Sequence, residues 1–158
     1  VRVPLMIRIP GQRSREGAEV APLVSLADVV PTLLSLCGAP VPAQLQGRDF
    51  SPLLAGSTDE IHRGIPLEFH SSNWGEHPAA LRGWRTRDWK YVEETGGPAE
   101  LYHLARDPGE TVNLVHDAAS AAIRDRLRGE LRVWLKATGD KWPEIPRPAE
   151  LVEPTGQE

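Results

Sequence analysis

The chain has 158 residues, of which 40% are hydrophobic and 25% are charged, and its formal net charge is −4 at neutral pH. This composition is typical of a soluble globular protein with about one domain core. No apolar run approaches the roughly 20 residues that span a bilayer, and no basic stripe favours nucleic acid as a partner. We therefore expect neither a membrane span nor a nucleic-acid partner, while the single cysteine leaves both a cytoplasmic and an exported location open.

The chain opens on an apolar segment. Residues 3–9 are largely apolar and Pro10-Gly11 follows them, which predicts a buried strand with Pro4 tolerated at its start. Position 1 is Val rather than Met and lies within this apolar run. We expect a truncated coding region or an excised domain, in which the strand belongs to a larger sheet.

A helix is predicted next, over residues 25–37. Ser25 and Asp28 have the spacing of a capping box. The apolar residues that follow recur at helical intervals until a glycine provides a C-cap. Pro31 must kink this helix, or mark its first turn if Asp28 is the true cap. One more helical turn is expected over residues 50–54.

The hydrophobic period changes after about residue 60. Short apolar runs are separated by clusters of turn-forming residues, a spacing typical of an antiparallel sheet. A hairpin turn is expected at residues 87–88. Four strands are predicted, over residues 65–70, 81–86, 90–94 and 100–104.

One amphipathic helix follows the strands. Asp117 or Ser120 can cap it, and Gly139 ends it. Its polar face, expected to stay in water, carries Arg124, Asp125, Arg128 and Arg132. Its apolar stripe consists of Ile123, Leu127, Leu131, Trp134 and Leu135. The proline-rich residues 141–158 are predicted to form an extended tail.

The most specific local signal is the turn at residues 107–109. Pro108 fixes φ at its first central position, and Gly109 tolerates a positive φ. The carboxylate of Asp107 can accept nearby backbone N–H groups. A strand, a tight turn and a cap are therefore expected across residues 99–114.

Four segments together resemble the C-terminal part of the sulfatase family: residues 1–8, 28–34, 85–91 and 99–114. The resemblance covers about residues 1–140 and implies an α/β fold. Residues 1–60 would be the end of a large mixed-sheet catalytic domain. Residues 61–140 would form a small C-terminal subdomain of about four antiparallel strands covered by one helix, and residues 141–158 would be the tail.

The same resemblance implies an arylsulfatase-like, metal-dependent hydrolase of a sulfate ester or sulfamate. Enzymes of this family use a formylglycine, made within a Cys/Ser-x-Pro-x-Arg motif, beside a divalent cation that we expect to be calcium. Cys37 is followed by Gly-Ala-Pro-Val, so it does not match that motif. We therefore expect no catalytic residue and no metal ligand in this chain, and no activity from it alone. Its expected partners are the missing N-terminal sulfatase domain and a sulfated small molecule or carbohydrate.

A stretch that starts in the first predicted strand is the candidate for substrate contact. In a sulfatase it would reach the rim of the substrate pocket, and the rim residues would be Glu68, His70, Asn73, Trp74 and Arg82. A solvated loop is the default interpretation. A metal site is a further alternative, although no ligand motif has the spacing of Glu68, His70, Glu76 and His77.

A noncatalytic carbohydrate- or protein-binding module is the alternative function. A tryptophan-rich sheet could hold a sugar or a partner, and the chain has five such residues: Trp74, Trp84, Trp89, Trp134 and Trp142. Packing into a core or against a neighbouring domain is the more frequent use of these side chains. We favour core positions for them.

Overall fold

The computed structural model describes residues 3–11, 17–70, 80–95, 97–140 and 142. The chain divides into two compact units, residues 1–62 and residues 63–158. The first unit contains short helices, and the second contains a sheet and a long helix.

The first unit is helical where it is regular. A 3₁₀ turn, Leu26–Asp28, leads into helix α1, Val29–Leu36, and helix α2 spans Ser51–Ala55. The predicted helix and the predicted helical turn after it are both confirmed. A capping box is present, in which the Asp28 carboxylate accepts the backbone N–H of Ser25 at 2.6 Å.

The position of Pro31 follows from that cap. Asp28 is the N-cap residue of α1, as the second alternative predicts, although its side chain makes no capping bond to that helix; Ser25 provides the side-chain cap of the preceding 3₁₀ turn. Pro31 lies in the first turn of α1. A helix has no intrahelical partner for its first N–H groups, so the N–H that proline lacks costs little there.

The predicted strand over residues 3–9 is absent. Its backbone has no regular secondary structure and most of its side chains are exposed, with Met6 at 94% exposure. A strand forms only when a neighbour accepts and donates its backbone hydrogen bonds. The described part of the first unit contains no strand that could pair with it. The prediction of a buried strand was therefore wrong for this structure.

The second unit contains one antiparallel sheet in the order β1-β2-β3-β4. Its strands are β1 Gly64–His70, β2 Ala80–Thr86, β3 Trp89–Glu94 and β4 Glu100–His103. All four predicted strands are confirmed, each to within one residue at either end. Helix α3, Ala121–Thr138, follows a 3₁₀ turn and packs on β2 and β3. The expected small antiparallel sheet with one covering helix is thus the observed architecture.

The core of the second unit lies between the sheet and α3. Tyr91 and Leu101 are directly opposite each other on neighbouring strands, so their side chains share one face of the sheet. They pack in one buried cluster with three leucines of α3 that recur at four-residue intervals, Leu127, Leu131 and Leu135. The predicted apolar stripe of the helix is confirmed, because these leucines are the residues of α3 that become buried.

The ends of α3 have distinct caps. Of the two candidate N-caps, Asp117 is the one whose side chain accepts a backbone hydrogen bond, from Ala119 in the preceding 3₁₀ turn. The hydroxyl of Ser120 donates to the same carboxylate at 2.6 Å, and this bond is the main reason that the pKa of Asp117 is lowered. At the other end Gly139 adopts the left-handed conformation, with φ of 69°.

The turn after β4 is built around Asp107, as predicted. Its carboxylate accepts the backbone N–H groups of Thr111 at 2.8 Å and Val112 at 2.9 Å, and the Thr111 hydroxyl at 3.0 Å. The Val112 N–H is the main cause that lowers the pKa of Asp107. The positive φ falls on Glu110, at 55°, rather than on Gly109.

Asn113 fixes this turn to the edge strand. Its Oδ1 accepts the backbone N–H groups of Leu101 and Val115, each at 3.0 Å, and its Nδ2 donates to the carbonyl of Ala99 at 3.2 Å. One amide side chain therefore satisfies three backbone groups that the end of the sheet would otherwise leave unpaired. The stretch 99–114 is held in one arrangement by Asp107 and Asn113.

Replacing Leu131 by Ala should lower the free energy of unfolding by about 2–5 kcal/mol, because it leaves a cavity between α3 and the sheet. Val133→Ala is the matched control on the same helix, since Val133 is 71% exposed. It should change stability by no more than about 0.5 kcal/mol. Urea denaturation measures both, and equal midpoints for the two variants would mean that α3 buries a different face.

Replacing Asp107 by Ala should destabilise the chain at pH 7 and progressively less in acid. The folded-state pKa of Asp107 is lowered, so its contribution is present above the unfolded value of about 3.9 and is lost as pH falls through the folded-state pKa. Urea midpoints of the two proteins should therefore converge below about pH 4. A gap of constant size between pH 7 and the acid range would show that the carboxylate charge contributes nothing.

Candidate functional site

The structure describes part of the predicted substrate rim. Glu68 lies on β1 and Arg82 on β2, and their Cα atoms are direct partners in the sheet. The backbone of His70 ends β1, opposite Ala80. Asn73 and Trp74 lie outside the described residues. The structure therefore brings Glu68 and Arg82 together. The rim roles of His70, Asn73 and Trp74 stay predictions.

Arg82 is engaged by acidic side chains on both sides. It is only 3% exposed. Its Nε donates to Oδ2 of Asp140 at 2.8 Å and lies 3.6 Å from Oε1 of Glu68. Its Nη1 donates to the carbonyl of Leu81 at 2.9 Å. A guanidinium held in this way by the protein acts as a structural link between the two strands and the residues that follow α3.

Trp142 joins this link to the rest of the sheet. The guanidinium carbon of Arg82 lies 4.9 Å from the centroid of its ring, a distance typical of a cation–π contact. The indole Nε1 donates to Oε2 of Glu93 at 3.1 Å. Asp140 and Trp142 both follow the last helix, so the chain returns to the sheet after α3 ends.

Among the described acids of the second unit, Glu93 is the most deeply buried, at 1% exposure. The Tyr91 hydroxyl donates to it at 2.9 Å, the Arg132 Nη2 lies 2.9 Å from Oε2, and the Arg128 Nε lies 3.5 Å from Oε1. Burial raises the pKa of the Tyr91 phenol, and the neighbouring Glu93 carboxylate adds to that increase. Glu93 thus collects donors from its own strand, from α3 and from Trp142.

Three arginines of α3 that were expected to stay in water are partly buried. The Arg124 side chain is 29% exposed, and its Nη1 donates to the carbonyl of Val115 at 3.0 Å. The other two face an acid. Arg128 and Arg132 were expected to stay in water, but their side chains are 38% and 31% exposed and both face Glu93. Charged residues of an amphipathic helix are normally solvated, so the sequence pattern predicted a solvent-exposed position for both arginines. A signal was available: Glu93 is two residues from Tyr91 and so shares its buried face, and the two arginines are one helical turn apart.

The charged groups at this place balance one another. We call them the Glu93 cluster; it comprises three acids and three arginines, Glu68, Glu93, Asp140, Arg82, Arg128 and Arg132. Arg82 pairs with Glu68 and Asp140, Glu93 pairs with Arg128 and Arg132, and Trp142 contacts both groups. The Glu93 cluster is suited to hold β1, β2, β3 and α3 in place.

The described tryptophans face inward. Trp84, Trp89 and Trp134 pack against the buried core, as Trp142 does. The Trp84 Nε1 also donates to Glu130 of α3 at 2.6 Å. The preference for core positions over ligand contact is supported for these four, and Trp74 lies outside the described residues.

Metal-ligating side chains do not gather in the part of the chain that the structure describes. No group of three or more His, Cys, Asp or Glu side chains lies close enough there to hold an ion. Glu76 and His77, two members of the alternative metal set, lie outside the described residues. The lone Cys37 is exposed at the C-terminus of α1. These residues do not fit a formylglycine centre with its cation.

No described helix is both long and apolar enough to cross a bilayer.

Removing the two arginines that face Glu93 should destabilise the second unit. The variant is the double substitution Arg128→Gln with Arg132→Gln. Losing the partners of a buried charge costs about 3–5 kcal/mol. Because the two arginines are partly exposed and screened by solvent, we expect a loss of about 2–3 kcal/mol in the free energy of unfolding. Arg126→Gln is the control, because Arg126 pairs with Glu130 at 3.8 Å on an exposed part of α3. It should cost less than about 0.5 kcal/mol in the same urea titration. Equal losses would mean that Glu93 does not depend on these cations.

Comparison with known proteins gives concordant results. The family model of the C-terminal part of N-sulphoglucosamine sulphohydrolase matches residues 1–137. The chain is 27% identical over 143 residues to an ulvan-active sulfatase of Formosa agariphila, which covers 90% of the chain and 28% of that protein. It is 36% identical over 122 residues to arylsulfatase K of Gallus gallus, covering 71% of the chain and 22% of that protein.

Solved structures show the same relationship. The structure of a 2-O GAG sulfatase is 31% identical, with a TM-score of 0.66, and the match covers 72% of this chain and 25% of that chain. The chain thus spans about a quarter of the length of the relatives that it matches. Because the family model extends over both units, the chain belongs to the sulfatases, as a C-terminal portion of the N-sulphoglucosamine sulphohydrolase type.

Proposed function

We propose that this chain serves as the C-terminal part of an enzyme that hydrolyses a sulfate ester or a sulfamate. The observation that carries the proposal is the family match over residues 1–137, which includes both units. The four-stranded sheet with its covering helix agrees in fold with sulfatase structures. A complete enzyme would also need the nucleophile and the divalent cation, and the described residues do not form a site for either.

The nucleophile and the cation would therefore be held elsewhere in the enzyme. We infer, from the family resemblance, that a formylglycine and a calcium ion supply the bond-breaking chemistry when they are present. The part of this chain that the structure describes would contribute binding and positioning. Its Glu93 cluster suits positioning, because its acids and arginines are paired with one another.

A sulfated carbohydrate is the substrate class that we favour. One relative is described as ulvan-active and another as a 2-O GAG sulfatase, and both names refer to saccharides. The rim would comprise Glu68, His70, Asn73 and Trp74, with Arg82 as a positioning residue. Support for the last assignment is its contact with Glu68, because an arginine that is 3% exposed can orient a neighbouring acid and cannot itself reach a ligand in solvent.

The noncatalytic binding module has less support. It needed tryptophan side chains on an accessible face of the sheet. The four described ones pack against the core, and two of them donate their indole N–H groups to Glu130 and Glu93. A sugar-binding surface built from these residues would compete with their packing against the core.

A chimera tests the proposal. The portion of the Formosa agariphila ulvan-active sulfatase that precedes its match would be joined to this chain and produced in cells that make formylglycine. We expect hydrolysis of 4-nitrophenyl sulfate or of a sulfated oligosaccharide by the chimera, and none by the chain alone. Glu68→Gln should raise KM for the oligosaccharide and leave kcat nearly unchanged, because a rim residue affects binding more than chemistry.

Two results would contradict the proposal. One is a folded chimera with intact formylglycine that hydrolyses neither substrate. The other is turnover by the chain alone that disappears when one of its own residues is changed. Glu110→Gln is the control for Glu68→Gln. Glu110 follows β4 and pairs with Lys90, so its substitution should leave KM unchanged.

A further inference from the structure

The chain turns back toward the sheet directly after helix α3. Gly139 adopts the left-handed conformation and its backbone N–H donates to the carbonyl of Lys136, while the backbone N–H of Asp140 donates to the carbonyl of Leu135 at 2.9 Å. This pair of bonds is the Schellman motif, which fixes the direction of the chain as it leaves a helix. Two side chains of the returning segment then contact the sheet unit, Asp140 and Trp142, and we call these two residues the C-terminal strap.

The C-terminal strap encloses Arg82 of β2. Asp140 Oδ2 accepts a hydrogen bond from the Arg82 Nε at 2.8 Å. The guanidinium carbon lies 4.9 Å from the centroid of the Trp142 ring, and the indole Nε1 of that residue donates to Glu93. The family match ends at residue 137, so both strap residues lie beyond it.

Two acids compete for one N–H group of Arg82. An arginine Nε carries a single hydrogen, whereas each Nη carries two. Asp140 Oδ2 lies 2.8 Å from this Nε, and Glu68 Oε1 lies 3.6 Å from it. The shorter distance is typical of a charge-assisted hydrogen bond, and the longer one exceeds the range of a hydrogen bond. Asp140 therefore accepts this N–H, and Glu68 does not.

The two carboxylates differ in exposure in the same sense. The Asp140 side chain is 17% exposed and the Glu68 side chain is 47% exposed. Glu68 lies directly opposite Arg82 on the neighbouring strand, so a small movement would bring its carboxylate onto the Nε if Asp140 were absent. Such a movement would pair the carboxylate with the guanidinium and remove it from solvent.

We propose that Asp140 is a positioning residue that keeps the Glu68 carboxylate in solvent, because it occupies the Nε–H of Arg82. This inference rests on the proposed function for the use of Glu68 at the substrate rim. A carboxylate kept in solvent has oxygen lone pairs that can accept the hydroxyl groups of a saccharide. Trp142 supports the arrangement, since its ring contacts the guanidinium at the place where the two acids meet.

A purely structural role for the C-terminal strap predicts the opposite result. If Asp140 only held the end of α3 to β2, its removal would loosen that contact and expose Arg82 and Glu68 together. Under the proposal, its removal leaves the Nε–H to Glu68, whose carboxylate then becomes less accessible. The sign of the change in the accessibility of Glu68 separates the two roles.

Carboxyl labelling of the full chain measures that sign. Carbodiimide with glycine ethyl ester modifies accessible carboxylates, and tandem mass spectrometry gives the labelling rate at Glu68. Asp140→Ala should lower this rate about threefold, a population shift that a partly exposed ion pair can produce. The rate at Asp125, which is 63% exposed on α3, is the internal reference and should not change. Arg126→Gln, on the exposed part of α3, is the control variant and should leave the Glu68 rate unchanged.

Asp140→Asn is a second variant, in case alanine prevents folding. It keeps an oxygen acceptor of similar size without the charge, and a hydrogen bond to a neutral acceptor is roughly half as strong as one to a carboxylate. The Glu68 rate should therefore fall by less than in Asp140→Ala. A Glu68 rate that is unchanged or higher in either folded variant would overturn the proposal. Failure of both variants to fold would also overturn it, because Asp140 would then be a structural requirement.

Kinetics of the chimera with the Formosa agariphila portion test the link to the substrate rim. Asp140→Ala should raise KM for the sulfated oligosaccharide by the same factor as Glu68→Gln, with kcat nearly unchanged. The two substitutions together should raise KM no further, because both withdraw the same carboxylate and effects on a shared group do not add. Two factors that multiply in the double variant would contradict the proposal, since Asp140 would then act independently of Glu68.

The two measurements also distinguish this inference from the proposed function. An inactive chimera contradicts the proposed function, and labelling of the chain alone still decides whether Asp140 positions Glu68. An active chimera, together with a Glu68 labelling rate that rises in Asp140→Ala, retains the proposed function and overturns this inference.

Discussion

A carboxylate that is removed from water must be given enough hydrogen-bond donors to replace it, and this requirement organises both units. In the first unit the fully buried Asp28 takes donors from Ser25, Arg48 and His62. In the second unit Glu93 collects the Tyr91 hydroxyl, the Trp142 indole and two arginines of α3. Each acid connects segments far apart in the sequence, so each fixes the path of the chain through its unit.

The consequences differ between the units. Glu93 accepts the hydroxyl of Tyr91, which belongs to the buried apolar cluster that the sheet and α3 share. Asp28, Pro31 and Thr32 are buried, and four apolar residues of the 3₁₀ turn and α1 are exposed.

Elements that depend on local sequence could be predicted, and those that depend on distant partners could not. Strand alternation and helical periodicity located β1 to β4 and α3 closely, because each buries one face within its own unit. The strand over residues 3–9 failed, since a strand needs a neighbour that the described unit lacks. Arg128 and Arg132 were misplaced because only the fold reveals a buried acid opposite them. Of the predicted substrate rim, Glu68 and Arg82 are direct partners on neighbouring strands. The positions of Asn73 and Trp74 at the rim stay predictions.

The sheet unit has its own buried cluster between the sheet and α3, whereas the helical unit leaves four apolar residues exposed. Amide hydrogen exchange of the chain alone measures this most directly, because it reports the stability of each element separately. Amides of β2, β3 and α3 should exchange only through unfolding of the sheet unit, whereas those of α1 should exchange much faster through local opening. Equal protection of α1 and α3 would contradict the account, since it would show that the first unit needs no further surface.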